Sequence, residues 1–182
     1  TWSSEEGRNL MFSLVWEPRF LPVSEQFLLS EAVALALTDL FGGYGIDARI
    51  KWTNDIYAGD RKLVGILIEH SYSGQTLART IVGIGINVNQ TEFDPALPNP
   101  VSMAMVAGRT FDRGEGLEAF RRHIGIRYAT AGCTVEVAVP AQGVIKTIRP
   151  ARNGHPAHPP GFHQTVQVTV YLSLIHISEP TR

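Results

Sequence analysis

Cysteine is nearly absent from this chain of 182 residues: Cys133 stands alone, which rules out an internal disulfide and makes a reducing compartment, the cytoplasm, the expected home. Long apolar runs are missing too. No stretch approaches the ~18 residues that span a bilayer, and no signal-peptide pattern opens the chain. An excess of either charge is lacking, since the formal net charge is −1, so nothing steers the chain toward nucleic acid or an anionic membrane. Lysine is scarce, with only Lys51, Lys62 and Lys146. What is present is ordinary for a globular protein: 44% hydrophobic and 18% charged residues, enough for one domain with a core of its own.

Along the chain, the turn Ser3-Ser4-Glu5-Glu6-Gly7 leads into a short apolar strand, Asn9 to Trp16, broken at Pro18 and Pro22. Ser24 sits where a helix N-cap belongs, with Glu25 in the first turn. Leu28, Leu29, Ala32, Val33, Leu35 and Ala36 then recur at helical spacing until Gly42-Gly43 stop the helix. Ala48–Trp52, Leu63–His70 and Thr76–Asn89 are rich in Ile, Val and Leu. Turn-forming stretches at 58–61 and 72–75 separate them, so two adjacent hairpins in an antiparallel meander are expected. A proline-rich loop, 92–100, precedes short helices at 101–107 and 116–128.

After about Ala129 the texture changes. Five of six histidines lie at or beyond His123, only Glu136 and Glu179 are acidic after Glu118, and periodicity is weak until 164–171. A separate small domain and a shifted reading frame both account for 129–171. The chain opens at Thr1 within a polar turn, and Leu172 to Arg182 reads as translated sequencing adaptor, against the alternative of a genuine strand. Both ends are therefore expected to be artificial. His155, His158 and His163 have no acidic or thiol neighbour to complete a metal site, so no metal cluster is expected.

Two segments carry the chemistry. In 51–69, two of the three lysines, Lys51 and Lys62, flank one hairpin turn. Asn54-Asp55 can close an Asx-turn, and Gly65 interrupts an apolar strand where a ligand or another backbone comes close. A solvated turn with two surface lysines fits the same residues. In 81–89, a two-residue period puts Val82, Ile84, Ile86 and Val88 on one face and Gly83, Gly85, Asn87 and Asn89 on the other. That second face offers bare backbone on which a flat ligand can lie, or room for a packed helix.

Lys51-Trp52-Thr53-Asn54-Asp55 resembles the Lys-Trp-Pro-Asn-Asp motif of biotin protein ligases, with Thr53 in place of proline. Arg61 to Leu67 resembles their Arg/Lys-Lys-Leu-x-Gly-Ile-Leu motif, and Gly83 to Asn89 their Gly-x-Gly-Ile-Asn-x-Asn signature. Trp2-Ser3 with Gly7-Arg8-Asn9-Leu10 resembles the segment after their glycine-arginine loop. The resemblance covers 1–128, which makes that stretch a partial catalytic domain.

The resemblance implies an α+β domain akin to class II aminoacyl-tRNA synthetases, a mixed, largely antiparallel sheet with helices on one face. It implies two steps: biotin carboxylate attacks the α-phosphorus of Mg2+-ATP to give biotinyl-AMP, then a lysine of a biotin carboxyl carrier domain expels AMP. Lys62 would be the catalytic cation, a kind of donor whose loss typically costs on the order of 100- to 1000-fold in rate. Asn54 and Asp55 would order the site, Gly65 would admit the biotin rings, Asn87 would bond the nucleotide, Trp2 would stack on adenine and Lys51 would lend charge. Strict alternation puts Lys62 and Gly65 on opposite faces, so Lys62 must belong to a turn or bulge. The family's glycine-arginine loop is not in the chain, so impaired or absent ligase activity is expected of this polypeptide. A lipoate-type acyl-adenylating ligase and a non-catalytic regulator are the alternatives, with DNA a partner only where a helix-turn-helix precedes the domain.

Overall fold

Residues 10–16 alternate without a break: Leu10, Phe12, Leu14 and Trp16 are buried, while Met11, Ser13 and Val15 stay partly exposed. A period of two belongs to a strand, and β1 (Leu10–Trp16) is an interior strand of the sheet in the computed structural model, which describes residues 4–52, 54–130, 134–138 and 165–171. The other strands are β2 (Ala48–Lys51), β3 (Asp55–Ala58), β4 (Arg61–Ser73), β5 (Thr76–Ile86), β6 (Thr134–Ala138) and β7 (Thr165–Tyr171). They form one sheet in the order β2-β3-β4-β5-β1-β7-β6. Every pairing is antiparallel except β6 with β7, so the expected α+β architecture with a largely antiparallel sheet is what the chain adopts.

The meander from β2 to β5 has one strand more than the sequence pattern indicated. β3 is four residues long with only Ile56 buried, too short for alternation to announce itself. β5 also stops at Ile86 rather than Asn89. Beyond Ile86 the backbone N–H of Asn87 turns to the carbonyl of Leu63, and that of Asn89 to the carbonyl of Arg8.

Helix α1 (Phe27–Gly43) buries Leu29, Ala32, Val33, Ala36, Leu37, Leu40 and Phe41, an unbroken i, i+3, i+4 stripe. Its start departs from expectation. Leu21 and Val23 are tied to the beginning of β5 (Val23 N–H to Gln75 O, Leu77 N–H to Leu21 O), and Val23–Glu25 form a 3-10 turn. Ser24 is therefore inside that turn, and α1 begins at Phe27 with no side-chain cap on Gln26. Its end also differs: Gly42 and Gly43 remain helical. Gly45 supplies the left-handed residue at φ 76°, with Gly45 N–H to Gly42 O and Ile46 N–H to Phe41 O. This paired closure, sealed by buried Ile46, is a Schellman end.

Ser102 caps the short α2 (Met103–Ala107), its hydroxyl accepting from Met105 N–H. α3 (Arg113–Thr130) is longer than expected because Asp112 accepts the N–H of Glu115 at 2.8 Å and starts it three residues earlier. Gly125 does not interrupt it. α1 and α3 lie together over one face of the sheet, where Phe12 meets Phe120 at 5.2 Å and Trp16 stacks on Tyr128 at 5.0 Å. Each buried aliphatic or aromatic side chain of this layer contributes about 1.5–3 kcal/mol. Arg127 and Asp39 clip the two helices through bonds of 2.6 and 2.7 Å.

β7 pairs with β1 from Ser13↔Tyr171 to Val15↔Thr169, which joins that part of 129–171 to the same sheet. The adaptor reading of 172–182 and the histidines at 155, 158 and 163 lie outside the described residues. Among the described residues, no helix is long and apolar enough to cross a membrane.

Candidate functional site

The sheet face opposite the helices is open, and one irregularity decides what it presents. Between β3 and β4 the register runs Asp55↔Gly65, Ile56↔Val64, then Tyr57↔Lys62, so Leu63 is the extra residue of a bulge. Leu63 and Val64 are consequently buried side by side. The alternation slips by one, and Lys62 emerges on the same face as Gly65. The bulge that the spacing required is therefore present.

Across the sheet, Gly65 pairs with Gly85 and Leu67 with Gly83, and β1 sets Met11 against Gly85 and Ser13 against Gly83. These residues, with Asn54, Asp55 and Lys62, line a cavity of about 420 Å³. Its floor is glycine backbone and its far end is apolar, with Leu67 62% exposed. Its near end is charged: Lys62 Nζ lies 2.8 Å from Asp55 Oδ1. Asn54 fixes that end, because its side-chain amide donates to Ile66 O at 2.8 Å while Ile66 N–H donates to Asn54 O at 2.9 Å. This bond runs across to β4, whereas the sequence pattern suggested a local turn.

A Cβ built on Gly83 would meet nothing closer than Leu67, at 3.8 Å. Packing within the sheet therefore does not demand glycine at 83. Its effect is to leave the floor bare.

The remaining expected residues lie elsewhere. Lys51 is exposed and outside the cavity lining. Its ammonium donates to the Tyr57 hydroxyl at 3.0 Å, and that bond, above the smaller pull of Asp55, raises its pKa above the ordinary lysine value. Asn87 is buried; its side-chain amide donates to Val101 O at 3.1 Å and its carbonyl accepts Met103 N–H. Trp2 is outside the described residues. No motif in the sequence points to Met11 or Ser13, although the alternation of β1 puts both opposite the buried Phe12 and Leu14. Among the described residues, no group of three or more His, Cys, Asp or Glu side chains could hold a metal ion.

The family model for the biotin/lipoate A/B protein ligases matches residues 1–87, which span β1 through β5 and with them the whole cavity floor. Residues 1–87 are thus similar to that ligase family. Among curated proteins, the bifunctional ligase/repressor BirA of Bacillus subtilis is 37% identical over 116 residues, covering 62% of this chain and 35% of that protein. The biotin–[acetyl-CoA-carboxylase] ligase of Paracoccus denitrificans is 36% identical over 97 residues, covering 50% of this chain and 40% of that protein. Among solved structures, the biotin protein ligase of Aquifex aeolicus in complex with biotin and ATP superposes with a TM-score of 0.60 at 30% identity, covering 69% of this chain and 52% of that one. The chain thus spans a third to two fifths of the length of these curated relatives, which are named as ligases.

Proposed function

We propose that this chain carries the catalytic sheet, residues 1–128, of an ATP-dependent ligase that attaches biotin to a lysine of a carrier protein. The observation that carries the reading is the Lys62–Asp55 pair at the head of a side-chain-free glycine floor. A bicyclic ligand with a carboxylate tail fits such a groove, its rings over the glycines and its carboxylate at the cation.

In the first step a biotin carboxylate oxygen bonds the α-phosphorus of ATP, the α–β bridging bond breaks and pyrophosphate leaves. In the second, the carrier amine attacks the acyl carbon and AMP leaves with the bonding pair. Negative charge gathers between carboxyl and phosphate in both steps. A preorganised ammonium there stabilises the transition state more than the ground state. Asp55 holds that ammonium in place and Asn54 holds the strand beneath it. Lys51, paired with Asp55 from β2, adds positive potential. Asn87 anchors the loop at the nucleotide end, and Trp2 supplies a stacking surface for adenine. Mg2+ enters with the nucleotide as its complex, in keeping with an ion that binds through phosphates and few carboxylates.

Biotin-dependent exchange of labelled pyrophosphate into ATP tests this reading, at the lowered rate expected of a chain without the glycine-arginine loop: exchange that depends on biotin and on Lys62 supports it. Exchange without biotin dependence sinks it. The matching family also embraces lipoate ligases, so lipoate belongs in the same assay. A preference for lipoate would reassign the acyl substrate while keeping the adenylating chemistry.

A further inference from the structure

Lys62 sits where β4 loses its neighbour. β5 ends at Ile86, opposite Val64, so the backbone of Lys62 extends past the end of the ladder. A different segment takes the vacated place. Lys62 N–H donates to Asn99 O at 2.7 Å, and Val101 N–H donates to Lys62 O at 2.9 Å, which makes a parallel bridge between Lys62 and Pro100. The pattern suits proline, because the bonds flanking the bridge use Asn99 and Val101 and ask no N–H of Pro100. Pro98 and Pro100 also bracket Asn99. The residue before a proline is biased to extended backbone, so the sequence itself stiffens this strap.

Two side chains lock the strap. Asn99 Nδ2 donates to Asp60 O at 2.6 Å, reaching into the β3–β4 turn. Asn87 Nδ2 donates to Val101 O at 3.1 Å, while its backbone N–H takes the carbonyl of the bulged Leu63 at 3.0 Å. The bulge that turns Lys62 into the cavity is therefore bonded on both sides of the lysine by one short segment far off in sequence.

We infer that the strap Asn99-Pro100-Val101 sets the position of the Lys62 ammonium, and that Asn99 is a positioning residue for the reaction. The inference rests on the ligase reading for its catalytic consequence, but not for the placement of the lysine. Asn99 is only half-buried, so its substitution leaves the core untouched. A displaced ammonium lowers the rate without removing the groove that binds biotin, and displacements near 1 Å can cost on the order of 100-fold.

The test uses the full chain and the variants Asn99→Ala and Asn99→Asp, the second keeping the shape while removing the donor. With Cε-labelled lysine the chain gives three NMR signals, assigned through Lys51→Ala and Lys62→Ala. Both Asn99 variants should move the Lys62 signal and leave that of Lys51 in place. In biotin-dependent pyrophosphate exchange they should lower kcat by roughly 10- to 100-fold with little change in KM for biotin. The loss should vanish when Asn99→Asp is made in a Lys62→Ala background. An unmoved Lys62 signal in both variants overturns the inference, as does an equal rate loss in the Lys62→Ala background. Should Lys62→Ala itself leave exchange unchanged, the catalytic reading of that lysine falls, and the NMR signals still decide whether the strap places it.

Discussion

The Lys62 ammonium and the Asp55 carboxylate meet at 2.8 Å across two strands whose register is broken by a bulge between them. Without Leu63 as the extra residue, the lysine would point into the helix-covered face. The pair is partly exposed, 35% and 22%, so it contributes about 1 kcal/mol or less to stability. In the proposed function its importance is to the ligand. Lys62→Ala should fold normally and lose on the order of 100- to 1000-fold in biotin-dependent pyrophosphate exchange. Lys51→Ala, which removes a cation outside the cavity lining, should lose about tenfold or less, the equivalent of 1.4 kcal/mol. Exchange rates for the two variants under identical conditions check the ranking, and a reversed order would transfer the catalytic role to Lys51.

Gly83 separates binding from folding. The 3.8 Å clearance to Leu67 leaves room for a methyl group, and glycine inside a strand costs about 0.5–1 kcal/mol relative to alanine. Gly83→Ala should therefore raise the urea midpoint slightly while weakening biotin binding, and Gly83→Val should weaken binding further. Calorimetric titration with biotin alongside urea unfolding measures both. Unaltered affinity in the valine variant would mean that the ligand does not lie on the glycine floor.

Elements with a repeated spacing were legible in the sequence. β1 and α1 each bury a periodic set, and the Gly83/Gly85 alternation marks the bare face directly. Boundaries set by distant partners were not legible. Nothing near Ser24 reveals that Val23 bonds to Gln75, which turns the expected cap into a 3-10 turn. Asn87 and Asn89 continue the β5 alternation in sequence, yet Leu63 and Arg8 draw their N–H groups out of the ladder. At the cavity, the conflict between Lys62 and Gly65 was itself the signal for the bulge. The strap at 99–101 shows in the sequence only as a proline-rich loop, and its bonds to Lys62 do not show, because a loop's hydrogen-bond partners have no period.

Asp39 and Arg127, 88 residues apart in sequence, join α1 to α3. The guanidinium's hydrogen bonds hold the Asp39 carboxyl below its ordinary pKa, with a smaller pull from His123, against the opposing effect of burial. A carboxyl depressed in the folded state contributes stability above its unfolded pKa and loses it as pH falls through the folded one. Asp39→Asn should thus lower the melting temperature at neutral pH, and the gap to the unaltered chain should close below about pH 4, the ordinary range for aspartate. Thermal melts of both proteins between neutral and acid pH test this. A gap that persists in acid would show that shape, rather than charge, holds the helices.

Asn9 closes the other end of the sheet, and its loss should damage the fold rather than the chemistry. It is 6% exposed. Its Oδ1 accepts Val88 N–H at 2.9 Å, and its Nδ2 donates to Gln90 Oε1 at 2.6 Å and to the Ser4 hydroxyl at 3.1 Å. One amide thereby carries β5's continuation after Ile86 back onto the start of β1. Asn9→Ala leaves the buried N–H of Val88 without an acceptor, and a buried donor stranded in this way costs about 1–3 kcal/mol. Asn9→Asp keeps the acceptor for Val88 but buries a carboxylate against Gln90 Oε1, so it should cost less than alanine only below about pH 4, where the carboxyl is neutral, and the comparison is made there. Urea unfolding followed by tryptophan fluorescence orders the three proteins. Equal losses in the two variants would place the contribution of Asn9 in its donor bonds and not in the acceptor that holds Val88.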